Sequence, residues 1–180
     1  MKDLTSTSFG YLIGFVLPGI FGVYALSGLF PQASILLQPM LNADASVGPS
    51  VMLFVIAVGI GVIVGAMRFF VFEKLLYRKY RLPEKLYRGL SEERLTLHKA
   101  LAEEHYRYHQ FYGGCFVAGL IWLPGWLRVH WVLDWQLAYV MLGFVLFELL
   151  LERSAFDAFK KYVQKCNDAI AGAPAGNQSD

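Results

Sequence analysis

Three histidines are spaced so that one face of an α-helix could hold them together. His98, His105 and His109 are separated by seven and four residues, which is close to two turns and one turn of a helix. Imidazole nitrogens grouped in this way can bind zinc or iron, which makes the three residues candidate metal ligands. The chain has only 4 histidines, however, and lacks the Glu-x-x-His spacing of helical di-iron sites. We therefore expect no metal and no cofactor.

Two charged residues lie next to or within otherwise apolar stretches of sequence. Arg68 directly follows the uncharged residues 51–67, and Glu148 directly follows the uncharged residues 137–147. A charge in apolar surroundings is costly unless it is paired. The two side chains could form an ion pair; alternatively, each extends along its helix toward nearby polar surroundings. Because the sequence has neither a glycine-rich phosphate loop nor a nucleophile elbow, we expect the protein not to be an enzyme.

The elements that carry these residues are long apolar segments. Residues of the AVILMFWYC types make up 56% of the chain and charged residues only 17%, whereas soluble domains are about a quarter charged. A bilayer core about 30 Å thick needs roughly 20 apolar residues in a helix, and four segments approach this length. We therefore predict an all-α, polytopic membrane protein with four transmembrane helices, in preference to a soluble helical bundle. The predicted spans are residues 9–30, 51–72, 109–127 and 132–151 of a single membrane domain, residues 1–168, which a disordered tail, residues 169–180, follows.

The first segment has a second interpretation as a cleaved signal peptide. Ala25, Leu26 and Ser27 would supply small residues at a cleavage site, and cleavage would leave three spans. The preceding basic residue, Lys2, is offset by Asp3. The apolar run is also longer than the roughly 7–15 residues of a signal peptide, which favours an uncleaved span.

Basic residues are concentrated between the second and third predicted spans. They are Lys74, Arg78, Lys79, Arg81, Lys85, Arg88, Arg94, Lys99 and Arg107. Residues 31–50, by contrast, contain no Lys or Arg. Because basic residues accumulate on the cytoplasmic side of a membrane, we predict a bacterial inner-membrane protein with both termini and residues 73–108 in the cytoplasm. The net charge of +2 is too small to indicate nucleic-acid binding.

Residues 73–108 are predicted to form a cytoplasmic helical hairpin extension between helices two and three. Helix two can continue to Pro83, and Ser91 is a favourable N-cap for helix three. Apolar and aromatic residues recur on one face of helix three, at Leu90, Leu97, Leu101 and Tyr108. An apolar face outside the membrane must be covered. It therefore predicts a docking face for a cytoplasmic protein partner, for helix two, or for a second copy of the chain.

Pairs of glycines four residues apart occur in the first two spans. They are Gly10 with Gly14, and Gly61 with Gly65. Small residues at this spacing let two helices approach closely in a bilayer. The pairs predict either packing within one chain or association between copies. Because four short helices bury little surface, we expect a homo-oligomer.

Three stretches are similar to segments of small bacterial inner-membrane proteins of uncharacterised function. They are His105-Tyr-Arg-Tyr-His-Gln-Phe-Tyr112, Phe15-Val-Leu-Pro-Gly19 and Gly65-Ala-Met-Arg68. The resemblance implies four spans in a prokaryotic inner membrane, and it implies no particular activity.

These features lead to three functional hypotheses. The first is a non-enzymatic, oligomeric, membrane-anchored assembly or sensing subunit whose cytoplasmic helices dock a protein partner. The second is a homo-oligomeric pore or membrane-disrupting effector, for example in phage defence. The glycine-rich spans favour the second hypothesis, but no span has a clear polar stripe. The third, a membrane-bound metalloenzyme, depends on the three histidines and has the least support.

Overall fold

Four α-helices account for most of the structure, a computed structural model. It describes residues 10, 12–37, 47–77, 92–130 and 135–171, with the backbone alone for most of residues 92–104. The helices are α1 (Leu17–Leu29), α2 (Val47–Arg68), α3 (Glu92–His130) and α4 (Trp135–Ala171). A π-helical segment, Leu12–Val16, precedes α1; a 3-10 helix, Pro31–Leu37, follows it; and a second π-helical segment, Phe69–Leu76, extends α2. The all-α prediction is confirmed for the part of the chain that the structure describes.

Within the described residues, three helical segments are long and apolar enough to cross a membrane. They are Leu12–Leu29, Ser50–Leu76 and Trp135–Asp168. Large apolar side chains on these segments face outward; Phe70 is 60% exposed and Leu150 is 66% exposed. Contiguous apolar surface of this kind is unfavourable in water and favourable in lipid. The described helices therefore indicate a membrane protein, as the composition predicts.

Helices α1 and α3 run parallel to one another. Gly14 lies beside Gln110 near the start of their contact, and Gly28 lies beside Gly125 near its end. Residue numbers therefore rise together along both helices. Consequently, α3 from about residue 110 to residue 125 lies level with α1 and the π-helical segment before it.

Helix α4 runs antiparallel to α3 and packs along it. The Ala155 carbonyl lies against His109, and the Phe144 ring lies 5.9 Å from the Trp122 ring between centroids. Both helices are long, with 39 residues in α3 and 37 in α4, which correspond to about 58 Å and about 55 Å. Each is almost twice as long as the hydrocarbon core of a bilayer is thick, about 30 Å.

Helices α1 and α2 are antiparallel and touch through their backbones. A methyl group at Gly19 would overlap the Ala57 carbonyl, and one at Gly61 would overlap the Phe15 carbonyl. Glycine is required at these two positions because only a hydrogen atom fits between the helices. Apolar side chains gain little from association in a bilayer, because lipid solvates them equally well. Close contact between the two backbones therefore favours packing of the helices against each other over packing against lipid.

The predicted glycine pairs lie at contacts within one chain. Gly10 faces the Arg107 guanidinium, Gly14 faces the Gln110 side chain, and Gly65 lies at ordinary distance from the Phe15 ring. Of the two interpretations that the sequence left open for these glycines, the described contacts match packing inside one chain.

The hydrophobic core lies where α2 ends and is built around the π-helical segment Phe69–Leu76. Its buried members are Phe72, Tyr77, Ala155 and Phe159. The backbone N–H of Tyr77 donates to the Phe72 carbonyl at 2.6 Å, which is a five-residue spacing and widens the helical turn. This core joins the end of α2 to α4, beyond the predicted end of the fourth span.

Candidate functional site

Four side chains form a polar cluster at the end of α2, which we call the boundary cluster: Arg68, Glu73, Tyr106 and His109. The Arg68 guanidinium donates to Glu73 Oε1 at 3.1 Å and to the Tyr106 hydroxyl at 3.4 Å. Tyr106 in turn donates to Glu73 Oε1 at 3.2 Å. Arg68 is only 4% exposed and Glu73 is 19% exposed. A buried cation is thus paired with a carboxylate and a hydroxyl, which offsets the cost of its burial.

His109 is fully buried, and its orientation is fixed by the backbone of α4. Its Nδ1 donates to the Ala155 carbonyl at 3.0 Å, since a carbonyl oxygen can only accept. The proton of a neutral ring is therefore on Nδ1. Nε2 lies 3.9 Å from Glu73 Oε1 and makes no hydrogen bond to any described residue. His109 thus ties α3 to α4 beside the ion pair.

The three histidines are not brought together as a metal site in the part of the chain that is described. His109 is buried among aromatic rings, with Phe159 at 4.9 Å and Phe72 at 5.8 Å between centroids. His105 is half-buried, and the side chain of His98 lies outside the described residues. No group of three or more His, Cys, Asp or Glu side chains among the described residues could hold a metal ion.

Tyr77 connects α2 to α4 next to the boundary cluster. Its ring stacks on Phe159, 5.4 Å away between centroids, and its hydroxyl donates to Glu152 at 3.4 Å. Burial, and then the neighbouring Glu152 carboxylate, raises the pKa of Tyr77 above its ordinary range. Burial likewise raises the pKa of Tyr106, although the Arg68 guanidinium opposes that shift. Both phenols are therefore held in the neutral, proton-donating form.

Glu148 is a buried carboxyl group of different character. It is 6% exposed, and neither of its oxygens has a hydrogen-bond partner among the described residues. The carboxyl lies against Gly119 of α3, where even a methyl group would overlap it. A buried carboxylate with no counter-charge is among the costliest arrangements in a protein.

Glu148 is one of the residues that line a cavity of about 430 Å³ between α1, α3 and α4, although its two carboxyl oxygens are buried and do not face that space. The rest of the lining is apolar or aromatic and includes Phe21 and Tyr24 from α1, Trp122 from α3, and Phe144 and Phe147 from α4. Phe21, Tyr24 and Phe147 are each more than half exposed, so the mouth of the cavity opens on the lipid-facing surface of the helices. We call this feature the Glu148 cavity. Its volume lies within the range of small-molecule sites, roughly 300–1,000 Å³.

The ion pair between Arg68 and Glu148 that the sequence allowed is wrong. Arg68 is paired with Glu73 instead, a residue that sequence reasoning assigned to the cytoplasmic extension. The π-helical segment explains the difference, because it brings residues five apart onto the same face. The five-residue spacing of Arg68 and Glu73 would not form a side-chain pair on an α-helix.

The predicted docking face lies only in part within the described residues. Leu90 lies outside them, and Leu97 and Leu101 belong to α3 without a described side chain. Tyr108 is 41% exposed, and its ring stacks on Tyr112 at 6.5 Å between centroids. Of this face, the structure thus describes one exposed aromatic ring.

No protein-family model, curated protein or solved structure matches the chain. The similarity to small bacterial inner-membrane proteins therefore stays a prediction. What the chain offers for a function is the arrangement of its helices, the boundary cluster and the buried Glu148.

Proposed function

We propose that this protein is a four-span inner-membrane subunit that holds a rigid helical stalk in the cytoplasm and docks a soluble partner there. The stalk is defined as residues 92–108 of α3 and residues 152–171 of α4. In this role the protein anchors an assembly or senses a signal, and it has no catalytic activity of its own.

The observation that carries the proposal is the length of α3 and α4. At about 58 Å and about 55 Å, they exceed the roughly 30 Å hydrocarbon core by nearly the same amount. They pack as an antiparallel pair, so the parts of α3 and α4 that exceed the hydrocarbon thickness lie at the same end of the pair. The core around Phe72, Tyr77 and Phe159 supports this pair where it would leave the lipid.

Four crossings, rather than three, are supported by the direction of α3. It runs parallel to α1 and level with it, from Gln110 beside Gly14 to Gly125 beside Gly28. If α1 crosses the bilayer, the adjacent part of α3 must lie at the same depth. Residues 111–127 contain no charged side chain, so this part of α3 is compatible with lipid.

The cytoplasmic location of the stalk follows from charge. The end of α4 carries Arg153, Lys160, Lys161 and Lys165, whereas residues 31–50 contain no Lys or Arg. Basic residues near the ends of spans stay on the cytoplasmic side. Four crossings place both termini on the same side of the membrane, and this charge distribution makes that side the cytoplasm in our proposal.

Co-purification of a defined partner tests the docking role. We expect a soluble protein to co-purify in fixed ratio with the full chain extracted from its native membranes in mild detergent. Changing Leu97→Asp together with Leu101→Asp should reduce its recovery by roughly tenfold or more, because buried apolar anchors dominate the binding energy of an interface. Thr96→Asp is the matched control, since Thr96 is exposed in the same turn of α3.

The docking role is wrong if no soluble protein accompanies the wild-type chain. It is also wrong if the Leu97 and Leu101 double variant retains the partner as well as Thr96→Asp does. Circular dichroism of each variant checks that α3 is still formed, so that loss of the partner is not caused by loss of the helix.

A further inference from the structure

We propose that the Glu148 cavity holds one acyl chain of a membrane phospholipid, which enters from the leaflet at the boundary-cluster end of the helices. The headgroup of this phospholipid stays outside the cavity, at the surface of the bilayer. The site lies in the membrane part of the molecule. It therefore goes beyond the docking role proposed above, and it can be tested without the cytoplasmic partner.

The cavity is long and narrow, with α3 as its floor and α1 and α4 on either side. The residues that α3 contributes follow one another by about one helical turn and so share a face of the helix; they are Phe111, Cys115, Ala118, Gly119 and Trp122. Phe111 and Trp122 lie eleven residues apart, which is about 16 Å along the axis. A space of about 430 Å³ spread over that length suits one extended chain better than a compact ring system.

The depth of the cavity matches a lipid chain. Phe111 lies two residues after His109 of the boundary cluster, and it is the first residue of the uncharged run 111–127 of α3. The cavity therefore starts close to the boundary cluster and extends through about half of the roughly 30 Å hydrocarbon core. A phospholipid whose headgroup lies level with the boundary cluster can place one chain along it.

The surface that faces the cavity is almost wholly apolar. Among the described lining residues, Glu148 is the one of formal charge, but its carboxyl oxygens are buried beside Gly119 and do not face the space. A charged or zwitterionic headgroup would lose its hydration in the cavity without gaining a partner. A hydrocarbon chain has no such cost, so the chain and not the headgroup fits this space.

The mouth of the cavity opens sideways, toward lipid. Phe21 and Tyr24 of α1 and Phe147 of α4 line the cavity and are each more than half exposed, and both helices belong to segments apolar and long enough to cross a membrane. Lipid is therefore the medium outside the mouth. An unfilled space would leave its aromatic walls without contacts on one side, and one side chain of a second copy would fill only part of this length.

Native mass spectrometry of the full chain in a mild non-ionic detergent tests the site, with phosphatidylethanolamine or phosphatidylglycerol added back. We expect one phospholipid per chain, and an affinity that differs by no more than about twofold between the two headgroups. Cys115→Phe should lower the bound fraction by at least about fivefold, because the added ring occupies the floor of the cavity. Ala138→Phe is the control, since Ala138 is exposed on α4 and does not line the cavity.

A second pair of variants answers the question even if Cys115→Phe fails to fold. Phe147 and Leu146 are neighbours on α4 and are exposed to similar extents, 56% and 53%, but of the two only Phe147 lines the cavity. Phe147→Ala should lower phospholipid retention by at least about threefold. Leu146→Ala should leave it unchanged, although it also removes a large apolar side chain from the lipid-facing surface.

The fluorescence of Trp122 locates the bound chain. The other three of the 4 tryptophans are first replaced by phenylalanine, and the protein is reconstituted in phosphatidylcholine that carries bromine on its acyl chains, which quenches a tryptophan on contact. We expect Trp122 to be quenched. Cys115→Phe should reduce this quenching by about half or more, because it displaces the chain from the cavity, and Ala138→Phe should not change it.

The proposal is wrong if the protein retains no phospholipid, or if Cys115→Phe and Phe147→Ala retain it as well as their controls do. It is also wrong if retention follows the charge of the headgroup, because recognition would then lie outside the cavity. A lipid-free dimer in the mass spectrum would overturn it as well, since a second copy of the chain would then cover the mouth.

Discussion

Glu73 Oε1 is the shared acceptor of the boundary cluster. It accepts from the Arg68 guanidinium and from the Tyr106 hydroxyl, and it lies 3.9 Å from His109 Nε2. Because these groups are largely buried, removing any one of them leaves another without its partner. The cost of such an orphaned group is larger than the net contribution of the hydrogen bond itself.

We predict that Arg68 is energetically coupled to Glu73 and not to Glu148. Arg68→Met and Glu73→Gln should each lower the free energy of unfolding by about 2–3 kcal/mol, because each leaves a buried polar group unpaired. The double variant should show a coupling energy of more than about 1 kcal/mol. Unfolding in mixed micelles with increasing denaturing detergent measures all three values.

The control is the exposed pair between Lys161 and Asp157, 2.9 Å apart on the surface of α4. Removing it should change the free energy of unfolding by no more than about 0.5 kcal/mol. A coupling of Arg68 to Glu148 that exceeds its coupling to Glu73 would contradict the described geometry.

We expect the raised pKa values of Tyr77 and Tyr106 to make the folded chain less stable at alkaline pH. Burial raises the pKa of both residues in the folded chain, whereas tyrosines of the unfolded chain titrate near pH 10. Above about pH 10 the unfolded chain therefore binds fewer protons than the folded chain, and stability falls as pH rises. Unfolding measured on either side of that pH should show a steeper loss for the wild type than for Tyr77→Phe. Equal slopes would contradict the raised pKa of Tyr77.

Sequence reasoning identified two of the three buried polar side chains that the structure describes as charges in apolar surroundings, and it named the third, His109, only as a candidate metal ligand. Arg68 and Glu148 stand out because each is a charge beside or within an apolar run, and both are buried in the structure. The partner of Arg68 was missed because Glu73 lies five residues away, a spacing that pairs side chains only in a π-helical turn. The cavity beside Glu148 was missed because three helices contribute its walls.

At the scale of the elements, the contact between α1 and α2 leaves the least room for an added methyl group in the described structure. The backbones meet at Gly19 and Gly61, where a single methyl group would overlap a carbonyl of the other helix. Gly59 lies on the same helix as Gly61, but no atom lies within 4 Å of the position that its Cβ would occupy. Gly61 and Gly59 of α2 thus form a matched pair for comparison, one packed and one open.

We predict opposite effects for Gly61→Ala and Gly59→Ala. Gly61→Ala should lower the free energy of unfolding by about 1–3 kcal/mol, the cost of forcing a methyl group into a packed contact. Gly59→Ala should leave it unchanged or raise it by up to about 1 kcal/mol, because alanine is the better helix former. The same detergent titration measures both. A larger loss for Gly59→Ala than for Gly61→Ala would mean that the outer face of α2 is covered by another copy of the chain.

At this scale, the sequence predicts which segments form helices, but it does not predict how those helices are arranged. Long uncharged runs predict helices in a bilayer, and Ser91 predicts the start of α3 at Glu92. The parallel arrangement of α1 and α3 has no comparable signal. A helix that is apolar on every side has no stripe to indicate its neighbours, so the glycines could not be assigned to one contact.

At the scale of the whole molecule, α3 decides how many times the chain crosses the membrane. Three helical segments in the described part of the chain meet the length and hydropathy requirements without it. If α3 did not cross, α4 would start on the cytoplasmic side, and its basic end would face outward. If α3 crosses, the basic end of α4 lies in the cytoplasm with the stalk.

We predict that cysteine labelling separates these two topologies. Cys115 and Cys166 are first replaced by serine, and Gln32→Cys or Lys161→Cys is then introduced. Both positions are exposed, one in the 3-10 helix after α1 and the other near the end of α4. A membrane-impermeant maleimide added to intact cells should label Gln32→Cys and not Lys161→Cys. Labelling of both from outside would mean three crossings and would remove the cytoplasmic stalk.

The parallel pair of α1 and α3 has a consequence for biosynthesis. A ribosome delivers α1 and α2 to the membrane before α3 exists, and the α1–α2 contact can form at once. The surface that α3 later covers, with Gly14 of the π-helical segment and Gly28 of α1, would then face lipid until α3 is inserted. In a chain of four crossings, the first helix pair would therefore be inserted before the second pair, α3 and α4, packs against it.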